Sequence, residues 1–157
     1  MRKLILVAAV VFSFVSCEEE ISTNNPSVEA TIGYTFWRAE NWSAQVTNGT
    51  LTVYASDLTK QIKITIPNYQ LGQTYDLGEN NLYKIEYTIV NDNDTTTTYT
   101  TGAGIGSGYI RLESADFVTP NTVTGRFMAE VVAGTERQTI HNGIFYRIPI
   151  SQPAVTE

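Results

Sequence analysis

Residues 42–66 read WSAQVTNGTLTVYASDLTKQIKITI. Leu51, Val53 and Ala55 alternate with Thr52 and Tyr54, and Ile62, Ile64 and Ile66 alternate with Lys63 and Thr65. Such a period of two is what a half-buried antiparallel strand requires, with one face in the core and one in water. Asn48-Gly49 is the strongest hairpin signal in the chain, because both residues tolerate positive φ. Asp57-Leu58-Thr59-Lys60 reads as the next turn, so residues 42–66 form a three-stranded meander. The same alternation runs through Ile32-Tyr34-Phe36, Tyr83-Ile85-Tyr87-Ile89, Ile110-Leu112 and Phe127-Ala129-Val131.

Turn residues separate these runs about every 8–12 positions, at Pro67, Gly72, residues 78–81 and residues 91–94. Thr95 to Thr101 has high β propensity and few apolar residues, which marks it as the return arm of a hairpin with Glu86 to Val90. Asn142-Gly143 precedes a last strand from Ile144 to Ile150, with Pro149 suited to a strand end. No window carries a comparable stripe of period 3.6. The expected fold is all-β, an antiparallel β-sandwich or small open barrel built from meander hairpins.

The first twenty residues carry an address. Arg2 and Lys3 precede an apolar run from Leu4 to Val15, broken only by Ser13. Its twelve residues fall short of the about 20 that a spanning helix needs, so the run reads as an export signal. The ending Phe14-Val15-Ser16-Cys17 resembles the lipobox of bacterial lipoproteins, with phenylalanine at the position where leucine is more usual. That resemblance implies lipid attachment at Cys17 and cleavage after Ser16. Two or more acyl chains make such an anchor stable, at ~0.8 kcal/mol per buried CH₂.

Glu18, Glu19 and Glu20 follow directly. They resemble the acidic surface-export signal of Bacteroidota lipoproteins, without the lysine, glutamine or serine that commonly precedes the acids. The implied location is the outer membrane, lipid-anchored, with the domain at the cell surface rather than the periplasmic face. The expected organisation is a signal peptide over 1–16, a lipidated acidic tether over 17–27, a single β domain over 28–151 and a tail over 152–157.

Removing residues 1–16 from the 157 leaves 141, enough for one domain with a sizeable core. The chain has one cysteine, so no disulfide within it is available. Without Arg2 and Lys3 the remainder holds 8 basic against 16 acidic residues, a net charge of −8. That balance argues against nucleic acid or an anionic membrane surface as a partner.

Several segments mimic catalytic or ligand-binding motifs. The glycine-rich run from Gly102 to Gly108 lacks the G-x-G-x-x-G spacing and leads into a strand, so no helix N-terminus is there to cradle a phosphate. Asn91-Asp92-Asn93-Asp94 suggests calcium, but an EF-hand loop from Asp92 would need glycine and glutamate where Thr97 and Ala103 stand. His141 is the single histidine and abuts a turn, and no G-x-S-x-G accompanies it. No catalytic residue, metal ligand or cofactor is expected, and the chain is read as a non-enzyme.

Two tryptophans, nine tyrosines and six phenylalanines favour a binding role, since aromatic faces stack on sugars and anchor protein interfaces. Trp37 is out of phase with Ile32, Tyr34 and Phe36, so it is expected to point outward and contact ligand. Tyr54, opposite Leu51 and Val53, is the second candidate, while Trp42 is expected to cap the core. Asp94-Thr95-Thr96 resembles the acceptor for O-glycosylation of exported Bacteroidota proteins, which makes Thr95 a candidate modification site.

The order of several fragments resembles a family of small uncharacterised β-rich lipoproteins of Bacteroidota. These are Phe36 to Trp42, Gly49 to Val53, Gly72 to Leu77, Gly108 to Leu112, Thr124-Gly125-Arg126-Phe127 and Asn142-Gly143-Ile144-Phe145. The resemblance implies location and fold and supplies no chemistry. The expected function is a tethered, non-catalytic binding module for glycan or protein. The alternative is a structural or accessory envelope lipoprotein without a small-molecule ligand.

Overall fold

Asn48 and Gly49 take φ of 51° and 76°, the pair of left-handed conformations that a two-residue type I′ hairpin demands. They join β3 (Asn41–Thr47) to β4 (Thr50–Ser56), and the Asp57 turn leads on to β5 (Lys60–Pro67). The computed structural model describes residues 25–91, 93, 95–115 and 119–151. Before this meander come β1 (Ser27–Ile32) and β2 (Thr35–Arg38). After it come β6 (Thr74–Leu77), β7 (Lys84–Val90), β8 (Thr96–Thr100), β9 (Ser107–Leu112), β10 (Thr122–Ala133) and β11 (Glu136–Ser151). The described residues contain no helix, as the absence of a 3.6-residue stripe predicts.

The strands pair in the order β2-β1-β11-β3-β4-β5-β7-β8-β10-β9-β6, and β10 also pairs with β11. Seven strands therefore close a ring, from β11 through β3, β4, β5, β7, β8 and β10 back to β11. Two thin seams separate a front layer, β2-β1-β11-β10-β9-β6, from a back layer, β3-β4-β5-β7-β8. At one seam β10 meets β8 through Val132 and Thr100 alone, and the Tyr99 hydroxyl donates to Glu136 Oε2 at 2.7 Å across it. At the other, Ile150 and Ser151 of β11 run parallel to Ala44 and Gln45 of β3, where Ser151 Oγ donates to the Ala44 carbonyl at 3.0 Å. The fold is thus all-β as expected, sandwich-like and closed at both corners, with one parallel pairing in an otherwise antiparallel arrangement.

Alternation places one core between the layers. Leu51, Val53, Ile62, Ile64, Ile66, Ile85 and Tyr87 come from the back, and Val28, Ile110, Phe127, Ile140, Phe145 and Ile148 from the front, all buried. Burying a side chain of this size stabilises by about 1.5–3 kcal/mol, so the periodic positions named above supply most of the driving force. Trp42 is half-buried and packs against this core, as its place at the start of β3 predicts.

Two expectations are corrected. Ile32, Tyr34 and Phe36 do not share a face, because Gly33-Tyr34 is a two-residue hairpin loop with Gly33 at φ 59°. Ile32 pairs with Thr35 and Ala30 with Trp37, so the phase flips across the turn. Trp37 is buried at 5% exposure, whereas Tyr34 and Phe36 stand in solvent. The second correction concerns Asn142-Gly143, which does not precede a strand but lies inside the 16-residue β11. Asn142 and Arg147 both take positive φ, and at each the register of β11 gains one residue against β10. These are bulges, which bend a strand and sharpen its twist. They turn β11 away from the front layer so that its end can reach β3.

Candidate functional site

Residues directly opposite each other in neighbouring antiparallel strands share a face. One such row crosses the outer face of the front layer as Arg38, Glu29, Ile144, Arg126, Arg111 and Thr74. A neighbouring row holds Phe36, Thr31 and His141 on one side of the Asn142 bulge, and Met128, Tyr109 and Asp76 on the other. Between Glu29, Tyr109, Arg126, Met128, His141 and Ile144 lies an open groove of about 360 Å³. Its apolar part is Tyr109 against Met128, 36% and 40% exposed, with Phe36 at 65% farther along the row.

The charges in the groove and beside it on the same face are unevenly matched. Arg126 Nε lies 3.5 Å from Glu113 Oε1, and Arg38 stands opposite Glu29. Arg111 has no ion pair among the described residues and stands directly opposite Arg126. Glu29 is the one carboxylate in the lining, which holds no serine, threonine or cysteine.

A second concavity, lined by Gln70, Gln73, Asp76, Glu79, Tyr75 and Tyr83 among others, is polar. Its tyrosines are engaged in holding the loop. The Tyr75 hydroxyl accepts from Gln70 N at 2.6 Å and donates to Gln70 O at 3.0 Å, and the Tyr75 and Tyr83 rings lie 4.8 Å apart. Among the described residues no group of three or more histidines, cysteines and carboxylates could hold a metal ion.

Trp37, the first candidate for ligand contact, is a core residue: its indole Nε1 donates to Asp57 Oδ2 at 2.6 Å. Burial pushes the Asp57 carboxyl up. Hydrogen bonds from the Thr59 and Lys60 amides, the Trp37 indole and the Thr59 hydroxyl outweigh it and hold the group below its ordinary value of 3.8. Burial, with the Asp57 and Tyr99 charges adding to it, pushes Tyr87 up to about 12. The bond to Glu136 leads in raising Tyr99, ahead of burial and the Glu136 charge.

Tyr54 does face outward, half-buried between Ser43 and Lys63, on the back layer and away from the groove. Thr95 is exposed at the β7–β8 tip, where its carbonyl accepts from the Asn91 amide at 2.8 Å. Asp92 and Asp94 lie outside the described residues, as do Cys17, Glu18, Glu19 and Glu20. The glycine run forms a tight turn, with Gly102 and Ile105 bonded to each other, and enters β9.

The groove residues were missed because no local pattern unites them. Glu29, Tyr109, Arg126, Met128 and His141 come from four strands, and the pairing of those strands is what assembles them. The one local signal, Asn142-Gly143, has the composition of a turn and marks a bulge instead.

The described residues therefore define a closed all-β domain with a shallow aromatic and charged groove on its outer face. The chain belongs to the family described as a domain of unknown function (DUF6252), whose match covers residues 24–149. Comparisons with curated proteins and with solved structures return no match.

Proposed function

We propose that the chain is a bacterial lipoprotein of Bacteroidota type, anchored in the outer membrane through acylated Cys17 and displayed at the cell surface. There it acts as a non-catalytic binding module for glycan. The observation that carries the binding role is the groove, in which an exposed aromatic ring, a flexible methionine, one carboxylate and two cationic or titratable side chains converge on an open sheet face. A sugar ring can lay its C–H face on Tyr109 while Arg126, Glu29 and Asn142 reach its hydroxyls. A single carboxylate does not supply the pair that glycoside cleavage needs, which favours binding over hydrolysis. The role first given to Trp37 and Tyr54 passes to Tyr109 and Met128.

Two measurements test this. On an oligosaccharide array the domain is expected to retain defined glycans, and Tyr109→Ala with Met128→Ala to lose them while melting normally. Retention unchanged in the double variant would place binding elsewhere. Protease shaving of intact cells is expected to degrade the protein, with protection when Glu18, Glu19 and Glu20 are alanine and release from the membrane in Cys17→Ala. Digestion only after lysis would place the domain in the periplasm and overturn surface display.

A further inference from the structure

We propose that the groove, together with Arg111 beside it on the same face, recognises an anionic oligosaccharide, one bearing carboxylates, through Arg111 and Arg126; this rests on the glycan-binding reading above. Like charges directly opposite on one face of a sheet repel. Arg111 and Arg126 nevertheless hold opposite register positions on β9 and β10. Both are exposed, so water screens the repulsion, and Arg111 enters no ion pair among the described residues; on its β6 side Asp76 stands diagonal to it on the same face. Arg126 is only partly answered by Glu113, through Nε at 3.5 Å.

The placement is selective. The chain has 10 basic residues against 16 acidic ones, and three of its arginines, Arg38, Arg111 and Arg126, fall on one row of one face. Their neighbours in that row are Glu29, Ile144 and Thr74. Elsewhere Lys63 pairs with Glu86 at 3.0 Å and Arg137 with Glu130, while Lys60 and Lys84, like Arg111, enter no ion pair among the described residues but stand on the back layer with no second cation directly opposite. A carboxylate between Arg111 and Arg126 would turn the repulsive pair into a fork on each side, the planar bidentate recognition at which arginine excels.

The rest of the groove argues for a sugar as the carrier. Tyr109 is two residues from Arg111 on the same face of β9, and Met128 two residues from Arg126 on β10. A second ring along the oligosaccharide would therefore lie on Tyr109 and Met128 when a uronate-type carboxylate sits between the arginines. Residues two apart on a strand are separated by about 6.6 Å, comparable to the spacing of adjacent rings in a glycan.

The test uses tetragalacturonate and its fully methyl-esterified counterpart, titrated into the signal-free domain by calorimetry. The acid is expected to bind, with affinity falling as salt rises, and the ester to bind at least about tenfold more weakly. Arg111→Gln and Arg126→Gln are exposed changes that leave the core intact, and each is expected to weaken the acid by about tenfold and to flatten the dependence of its affinity on salt. Equal binding of acid and ester, abolished by Tyr109→Ala, would overturn the anionic inference and leave the glycan module standing. Absence of binding by both would overturn the inference, and the array then decides the fate of the module independently. Acid binding unchanged in both arginine variants would also overturn it.

Discussion

Gly143→Ala is expected to destabilise the domain by about 2–3 kcal/mol or more, with Gly125→Ala close behind, although each adds one methyl group. The reason is a reciprocal arrangement of two Gly-x-Phe triplets. Gly125-Arg126-Phe127 on β10 and Gly143-Ile144-Phe145 on β11 pair antiparallel, so that Gly125 lies opposite Phe145 and Phe127 opposite Gly143. Each ring covers the other strand's glycine, and the two rings stack with centroids 6.2 Å apart and planes 26° from parallel. A Cβ on Gly143 would lie 2.6 Å from three atoms of the Phe127 ring, and one on Gly125 would lie 2.7 Å from Phe145 Cε2 and 2.8 Å from the Arg111 carbonyl. Both rings are buried at 1% exposure or less, in an interior dense enough that neither can withdraw without strain. Denaturant unfolding measures the loss. Phe127→Leu, itself destabilising, is expected to recover part of it in the Gly143→Ala background, giving a coupling that independent sites lack. A Gly143→Ala protein within about 0.5 kcal/mol of the parent would mean that the ring is free to move.

The same triplets show how far the sequence could be read. Alternation located the strands because burial on one face imposes period two on each strand separately, whatever its neighbours. Asn48-Gly49 and the Asp57 turn were legible for the same reason, since turn chemistry is local. Thr124-Gly125-Arg126-Phe127 and Asn142-Gly143-Ile144-Phe145 were recognisable as fragments, yet their interlocking depends on register, and register is a property of two strands. The bulges at Asn142 and Arg147 were illegible on β11 alone, because a bulge is defined by the residue it adds against a partner. Missing them split one long strand into a turn and a strand, and hid the parallel seam to β3.

The candidate site suffered more. Phase arguments fail at any two-residue turn whose parity is misjudged, and Gly33-Tyr34 is such a turn. Reading Ile32 to Phe36 as one continuous strand put Trp37 outside; the hairpin puts it inside and exposes Phe36 instead. Arg111 and Arg126 lie 15 positions apart in the sequence and become neighbours only through the β9–β10 pairing.

The error over Trp37 exposes a contact that is expected to govern acid stability. Trp37→Ala should cost about 3–5 kcal/mol, the usual loss for a buried large aromatic. Asp57→Asn should cost about 1–3 kcal/mol at neutral pH, by weakening hydrogen bonds to a charged acceptor. The carboxylate takes four of them, from Trp37 Nε1 at 2.6 Å, Lys60 N at 2.6 Å, Thr59 N at 2.7 Å and Thr59 Oγ1 at 3.2 Å. It thereby ties the β4–β5 turn to the indole of β2. All four favour the ionised form, which is why the group stays below its ordinary value of 3.8 despite partial burial.

A carboxyl whose folded pKa is depressed contributes its stability in full above the unfolded value, and that contribution fades as pH falls through the folded one. Acidification from pH 5 downward should therefore erode the stability of the parent through the range below 3.8. Asp57→Asn, already paying that cost at every pH, should lose correspondingly less over the same interval. With Trp42 replaced by phenylalanine, Trp37 is the one remaining tryptophan of the chain, and its emission should shift across the same acidic range because protonation changes the group its indole faces. Parallel acid-unfolding curves for parent and Asp57→Asn, or a Trp37 signal indifferent to pH until global unfolding, would show that the Asp57–indole bond carries no pH-dependent stability.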